Sequence, residues 1–83
     1  MMPSVKGTSI RLFNVTSIDK QCNDRLVAHF HSYAMAYKYL VDQFPYMIHV
    51  CEEEVSYRSP YGSYRDVFQA DSGSPEYYCL WKG

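Results

Sequence analysis

The segment SYAMAYKYLVDQFP, residues 32–45, decides the fold of this chain. Apolar side chains recur in it at the spacing of one face of an α-helix, i, i+3, i+4, i+7, i+8 and i+11. These positions are Tyr33, Ala36, Tyr37, Leu40, Val41 and Phe44. Ser32 stands where a side-chain oxygen caps a first helical turn, and Pro45 disfavours helical backbone at the residue before it. The pattern predicts a helix over residues 33–44.

Segments of strand-like sequence lie on both sides of this helix. Residues 8–18 are rich in β-branched and aromatic side chains and residues 25–31 alternate in polarity, which predicts a hairpin before the helix. Residues 46–55, 64–70 and 76–81 are further strand candidates, and the turn-rich residues 71–75 indicate a C-terminal hairpin. The order β-β-α-β-β-β predicts an α+β domain, with a small antiparallel or mixed sheet of four to five strands and the helix packed on one face.

Strand alternation also predicts which side chains meet the helix. The expected contacts on the helix side are Leu26, Ala28, Phe30, Ile48 and Val50. The expected side chains of the opposite face are Val27, His29, His31, Met47, His49 and Cys51. One short helix cannot cover both faces, and a partly apolar face without cover usually contacts another molecule. This favours a homodimer or another protein partner.

Length and composition limit the class of protein. A chain of 83 residues is expected to form one compact domain over residues 1–83, and no apolar run approaches the ~20 residues that cross a bilayer. Its formal net charge is −1, whereas dedicated nucleic-acid binders usually carry a strong basic surplus. Three widely spaced cysteines and a first segment without an apolar stretch favour a reducing cytoplasm, that of the host if the chain is viral.

The sequence has no motif of an established catalytic site. A glycine-rich phosphate loop, a Gly-x-Ser-x-Gly elbow and a His-Glu-x-x-His motif are all missing, so we expect neither an enzyme nor a cofactor. A weak metal candidate combines His29-x-His31 with His49-x-Cys51, because each pair places two side chains on one side of its strand. The four ligands would converge only if the two strands were neighbours, and we therefore predict no metal site.

Tyrosine is the informative residue type. The chain has nine, more than a core of this size can absorb, and residues 56–65, SYRSPYGSYR, combine tyrosine with serine, glycine and arginine. This is the composition of a recognition loop, and tyrosine and arginine dominate protein–protein hot spots. The alternative is that these tyrosines fold back over the sheet. The residues predicted to contact a partner are Tyr57, Arg58, Tyr61, Tyr64 and Arg65, with Glu52 and Glu54 as an acidic rim.

Two functions from different classes fit these observations. The first is a non-enzymatic protein-binding module that acts as a small inhibitor or modulator of a larger macromolecule. Compact, tyrosine-rich chains without catalytic motifs are common among phage proteins that bind host factors, so a host nucleic-acid-processing or defence protein is the favoured target. The second is a single-stranded RNA-binding protein that stacks bases on tyrosine and arginine. RNA could also be reached through the protein partner.

Overall fold

The computed structural model describes residues 12–55 and 59–82, which form one antiparallel sheet and one helix. The elements are β1 (Phe13–Ile18), β2 (Asp24–Phe30), α1 (Tyr33–Gln43), β3 (Ile48–Glu54), β4 (Tyr64–Gln69) and β5 (Tyr77–Lys82). The strand order is β2-β1-β5-β4-β3, and every neighbouring pair is antiparallel. The α+β class and both hairpins are confirmed, while the predicted strand residues 8–11 lie outside the described residues. No helix in the described segments is long and apolar enough to cross a membrane.

The helix is built as its sequence predicts. The Ser32 hydroxyl accepts a hydrogen bond from the Met35 amide at 3.1 Å, and the Phe44 amide donates to the Leu40 carbonyl at 2.7 Å. Helix α1 packs over β1, β2 and β5, where Ala36 and Leu40 are fully buried. They pack in one cluster with Val15, Phe68 and Leu80. The edge strand β3 lies beyond this cover, whereas Phe68 of β4 lies beneath the Tyr37 ring of the helix.

The opposite face of the sheet carries a second buried cluster, formed by Val67, Cys79 and Trp81. The chain segment at residues 59–63 covers it: the Tyr61 ring centroid lies 5.9 Å from that of Trp81. Gly62 allows this close approach, because its φ is +153° and a Cβ there would lie 3.0 Å from the Lys82 carbonyl oxygen. The expectation of an uncovered face is therefore wrong at the sheet centre. The alternative interpretation, in which the tyrosines of residues 56–65 fold back over the sheet, holds for Tyr61.

Two β-bulges change which side chains share a face. In the β1–β2 pair, Val15 lies opposite Ala28 and Thr16 opposite Leu26, so Val27 is the extra residue. Val15 faces the helix, so the next residue, Thr16, faces the other side of the sheet. Leu26 pairs with Thr16 and lies on that same side, contrary to the prediction that it contacts the helix.

The second bulge lies in β3. His49 pairs with Phe68 and Cys51 with Val67, so Val50 is the extra residue. His49 therefore shares the helix side with Phe68, and the predicted helix contacts of Ile48 and Val50 are wrong. Both side chains are exposed, because α1 does not reach this edge of the sheet.

Candidate functional site

The strand order separates the histidines and cysteine of the weak metal candidate. His29 lies on β2 and His49 on β3, the two opposite edges of a five-stranded sheet. Four strand spacings of about 4.8 Å place the two edges ~19 Å apart, far beyond the reach of a shared metal ion. The bulge also sends His49 and Cys51 to different faces. The convergence of His29, His31, His49 and Cys51 does not occur.

A polar cluster that the sequence did not indicate surrounds Asp66 on the helix side of β4. The side chain of Asp66 is only 4% exposed. Its Oδ2 accepts a hydrogen bond from the Tyr33 hydroxyl at 2.6 Å and lies 3.4 Å from Lys82 Nζ. Its Oδ1 faces His49 Nε2 at 3.7 Å and has no hydrogen-bond partner among the described residues. The fold thus holds a buried carboxylate with one oxygen unsatisfied.

Glu52 and Tyr64 complete this group, which we call the Asp66 cluster (Tyr33, His49, Glu52, Tyr64, Asp66 and Lys82). Glu52 lies directly opposite Asp66 in the β3–β4 register and accepts a hydrogen bond from the Tyr64 hydroxyl at 2.6 Å. Burial and the hydrogen bond to Asp66 raise the pKa of Tyr33, and the hydrogen bond to Glu52 raises the pKa of Tyr64. Both phenols therefore remain protonated donors at neutral pH.

Arg65 points to the opposite face of β4 and is held there by two carboxylates. Its Nε donates to Glu53 at 2.6 Å, and its Nη1 lies 3.3 Å from both carboxylate oxygens of Asp24. The guanidinium also lies 5.0 Å from the Trp81 ring centroid, an attractive cation–π geometry. With 15% of its side chain exposed, Arg65 offers little surface to a partner.

The predicted partner-contacting residues are thus divided between two faces. Tyr64 and Glu52 lie on the helix side, whereas Tyr61 and Arg65 lie on the other side around Trp81. Glu54 is exposed at the end of β3. Tyr57 and Arg58 lie outside the described residues. Among the described residues, the structure brings Glu52 and Tyr64 together on one face and Tyr61 and Arg65 together on the other.

The outer edge of β3 is the most exposed element of the described sheet. Six of its seven residues are exposed, compared with four of seven in the other edge strand, β2. Ile48 and Val50 are 41% and 49% exposed, and Tyr46 just before the strand is 76% exposed. At the other end of β3, Glu52 and Glu54 are exposed carboxylates, while Glu53 is paired with Arg65. We call residues 46–54 the β3 edge; it is apolar at one end and acidic at the other.

The deepest cysteine of the described chain is not suited to nucleophilic chemistry. Cys79 is fully buried, and burial raises the pKa of its thiol from 9.0 to about 11. A catalytic cysteine needs the opposite shift, because the thiolate is the nucleophile. Cys22 and Cys51 are exposed free thiols.

This difference gives a prediction for thiol labelling. At pH 8 a small thiol reagent should modify two cysteines of the folded chain, Cys22 and Cys51, and reach Cys79 only after unfolding. Because the folded thiol ionises at a higher pH than the unfolded one, the stability it supports should be complete below pH 9 and fall as the pH rises toward 11. Counting modified thiols, with and without denaturant, and melting the chain from pH 8 to 11 test this. Rapid labelling of all three native cysteines would contradict it.

An open groove of about 430 Å³ lies where the end of β1 meets the start of β5. Its lining consists of residues 17–20 and 75–78, with Asp19, Lys20 and Glu76 as the charged side chains. The lining contains no histidine or cysteine.

Comparison with protein-family models, with curated proteins and with solved structures finds no match to this chain. The geometry of its own side chains is therefore the basis for assigning a function. Two features stand out from that geometry, the Asp66 cluster and the β3 edge.

Proposed function

We propose that this chain is a non-enzymatic protein-binding module whose β3 edge pairs with an extended segment of a partner protein. The observation that carries the proposal is the exposure of Ile48 and Val50 on an edge strand with no further strand beside it among the described residues. An edge strand leaves every second backbone N–H and C=O group without a sheet partner, and an added strand satisfies these groups. Exposed apolar side chains on the same strand supply further contact area.

The charge of the β3 edge specifies the chemistry of the partner segment. Seven residues from Ile48 to Glu54 span about 20 Å, so the partner strand is about seven residues long. Its apolar end would lie beside Ile48 and Val50, and its lysine or arginine residues beside Glu52 and Glu54. Opposite charges across neighbouring strands stabilise the pairing and fix its direction.

The small size of the domain favours a role as an inhibitor or modulator. A module of 83 residues that occupies a strand on a larger macromolecule blocks whatever that strand contacts. A basic partner segment is also what a nucleic-acid-processing protein offers, so a host protein of this kind or a defence protein remains the favoured target. A second copy of the chain is the competing occupant of the β3 edge.

Single-stranded RNA binding receives less support. The RNA-binding hypothesis requires exposed arginines beside exposed aromatic rings. Arg65 is instead paired with Asp24 and Glu53, and only 15% of its side chain is exposed. The exposed carboxylates at the end of β3 would also repel phosphate.

A matched pair of lysine variants tests the proposal. Val50→Lys places a cation on the β3 edge, and Val27→Lys places one at the bulge of β2, where valine is 42% exposed compared with 49% at Val50. The tagged full chain and both variants are used to capture proteins from lysate of the source organism or its host, after nuclease treatment. We expect the wild type and Val27→Lys to retain the same protein, and Val50→Lys to retain at least about tenfold less.

Reversing the charge at Glu54 tests the direction in which the partner segment lies along β3. Glu54→Lys should weaken its capture, and added salt should do the same, because the basic end of the partner segment lies there. Equal capture by Val50→Lys and the wild type would contradict the proposal, as would recovery of RNA alone without nuclease. Light scattering that gives a dimer for the wild type and a monomer for Val50→Lys would assign the edge to a second copy instead.

A further inference from the structure

We infer that the Asp66 cluster is a binding site for a divalent transition-metal ion, with His49 Nε2, a Glu52 carboxylate oxygen and Asp66 Oδ1 as its ligands. One ligand atom from each of these side chains lies within 4.8 Å of the other two. The inference does not rest on the proposed function, because the ligands point to the helix side of the sheet and binding needs no partner protein.

The first support is the unsatisfied oxygen of Asp66. A carboxylate oxygen buried without a hydrogen bond is costly, and most buried polar atoms in native proteins have a partner. The distance of 3.7 Å from Asp66 Oδ1 to His49 Nε2 is too long for a hydrogen bond. A metal ion between the two atoms would bind both and remove the cost.

The bulge in β3 is the second, independent support. His49 and Glu52 are three residues apart, and on a regular strand they would point to opposite faces. The extra residue, Val50, reverses the alternation, so that His49 lies beside Phe68 and Glu52 beside Asp66 on one face. Bulges are frequent next to functional sites, where they redirect a side chain. Here the bulge brings the imidazole and the two carboxylates to the same place.

The neighbouring side chains orient the ligands as outer groups do in known metal sites. The Tyr64 hydroxyl donates to Glu52, and the Tyr33 hydroxyl donates to the Asp66 oxygen that does not face His49. Lys82 is the cationic member of the cluster, and its Nζ lies 3.4 Å from Asp66 Oδ2. Two carboxylates and one lysine leave a net charge of −1 with a neutral imidazole, which still attracts a dication.

The donor set indicates the class of metal. One imidazole nitrogen with two carboxylate oxygens suits Mn²⁺, Fe²⁺, Co²⁺ or Zn²⁺, whereas Ca²⁺ and Mg²⁺ prefer oxygen ligands alone. Ligands about 2.1 Å from a tetrahedral ion lie about 3.4 Å apart, so the group must contract slightly on binding. Glu52 is exposed and 46% of the His49 side chain is exposed, which leaves both free to rotate inward.

Cobalt binding to the full chain tests this inference. The probe is Co²⁺, added after chelator treatment to a Cys22→Ser/Cys51→Ser chain so that exposed thiols do not compete. Calorimetry and visible absorption should give one bound ion per chain, and binding should raise the melting temperature. His49→Gln and Glu52→Gln should each weaken binding about tenfold or more, and Tyr64→Phe about tenfold through the loss of its hydrogen bond to Glu52.

Two matched variants serve as controls. His29→Gln removes an exposed histidine from β2, and Glu54→Gln removes an exposed carboxylate from the same strand as Glu52. Both should bind Co²⁺ with wild-type affinity. The inference is overturned if Co²⁺ does not bind, or if His49→Gln and Glu52→Gln bind it as tightly as the controls do. Circular dichroism of each variant ensures that a loss of affinity is not a loss of fold.

Discussion

Replacing Trp81 with alanine should remove most of the free energy of unfolding of this domain. Trp81 is the largest fully buried side chain of the described residues, and truncation of a buried tryptophan costs about 3–5 kcal/mol. Its indole N–H also donates to Thr16 Oγ1 at 2.8 Å, so the truncation removes a buried hydrogen bond as well. A small domain has only about 5 kcal/mol of stability in total, at the lower end of the usual range. The loss therefore approaches the whole free energy of unfolding.

Urea unfolding followed by far-UV circular dichroism measures this effect. Tryptophan fluorescence cannot follow the unfolding of this variant, because Trp81 is the only tryptophan of the chain. Trp81→Phe keeps an aromatic ring and loses the hydrogen bond, so it should cost less than alanine does. Tyr46→Ala is the matched control, since this aromatic side chain is 76% exposed and its removal should change stability by less than about 0.5 kcal/mol. A cooperative transition for Trp81→Ala within 1 kcal/mol of the wild type would contradict the prediction.

The helix and both hairpins are predictable because their signals are local. Ser32 and Pro45 mark the two ends of α1, and the apolar spacing between them marks the buried face. The turn-rich residues 71–75 join β4 to β5 for similar reasons. Such signals depend on residues that are close in sequence, so they do not require knowledge of the sheet.

The faces of the edge strands are not predictable from alternation, because both contain a bulge. A single extra residue, Val27 in β2 or Val50 in β3, moves the residues beyond it to the other face. In β3 both sets of alternate residues contain apolar side chains, so composition does not identify the buried set. Met47 packs beside the helix-side cluster while Ile48 is exposed, the reverse of the faces that alternation predicts for these two residues.

The candidate site depends on the same non-local information. Strand order places His29 and His49 on opposite edges and brings Glu52 beside Asp66, and neither relation follows from spacing in the chain. One signal could have indicated the site: Asp66 is an acidic residue within a strand, where aspartate is disfavoured. Composition indicates Glu52 and Tyr64, although as contacts of a protein partner rather than as members of the Asp66 cluster.

Arg65 shows how the same residue receives different roles from sequence and from structure. In the sequence, Arg65 lies in a segment rich in tyrosine, which predicts that it contacts a partner. In the structure, its guanidinium lies between Asp24 and Glu53 and over the Trp81 ring. Asp24 also accepts a hydrogen bond from Thr16, the residue that accepts the one from Trp81. Arg65 therefore belongs to a network that joins all five strands on the face opposite the helix.

Arg65→Met should destabilise the domain by about 2–3 kcal/mol. Methionine keeps an apolar side chain over Trp81 but leaves the Asp24 carboxylate, only 11% exposed, without its cation. Removing one partner from a desolvated ion pair is costly, because the remaining charge is left buried and poorly solvated. Chemical unfolding measures the loss. Arg25→Met is the matched control, since Arg25 is exposed on β2 and its replacement should leave the midpoint almost unchanged.

The companion variant Asp24→Asn/Arg65→Met separates charge from packing. If the cost comes from an uncompensated carboxylate, neutralising Asp24 in the Arg65→Met background should recover part of the lost stability. The RNA hypothesis predicts a different result, in which Arg65→Met keeps its stability and loses salt-sensitive binding to single-stranded RNA. That result would place the guanidinium in solvent and contradict its pairing with Asp24 and Glu53. Loss of stability with recovery in the double variant would assign Arg65 to the framework that holds the second buried cluster together.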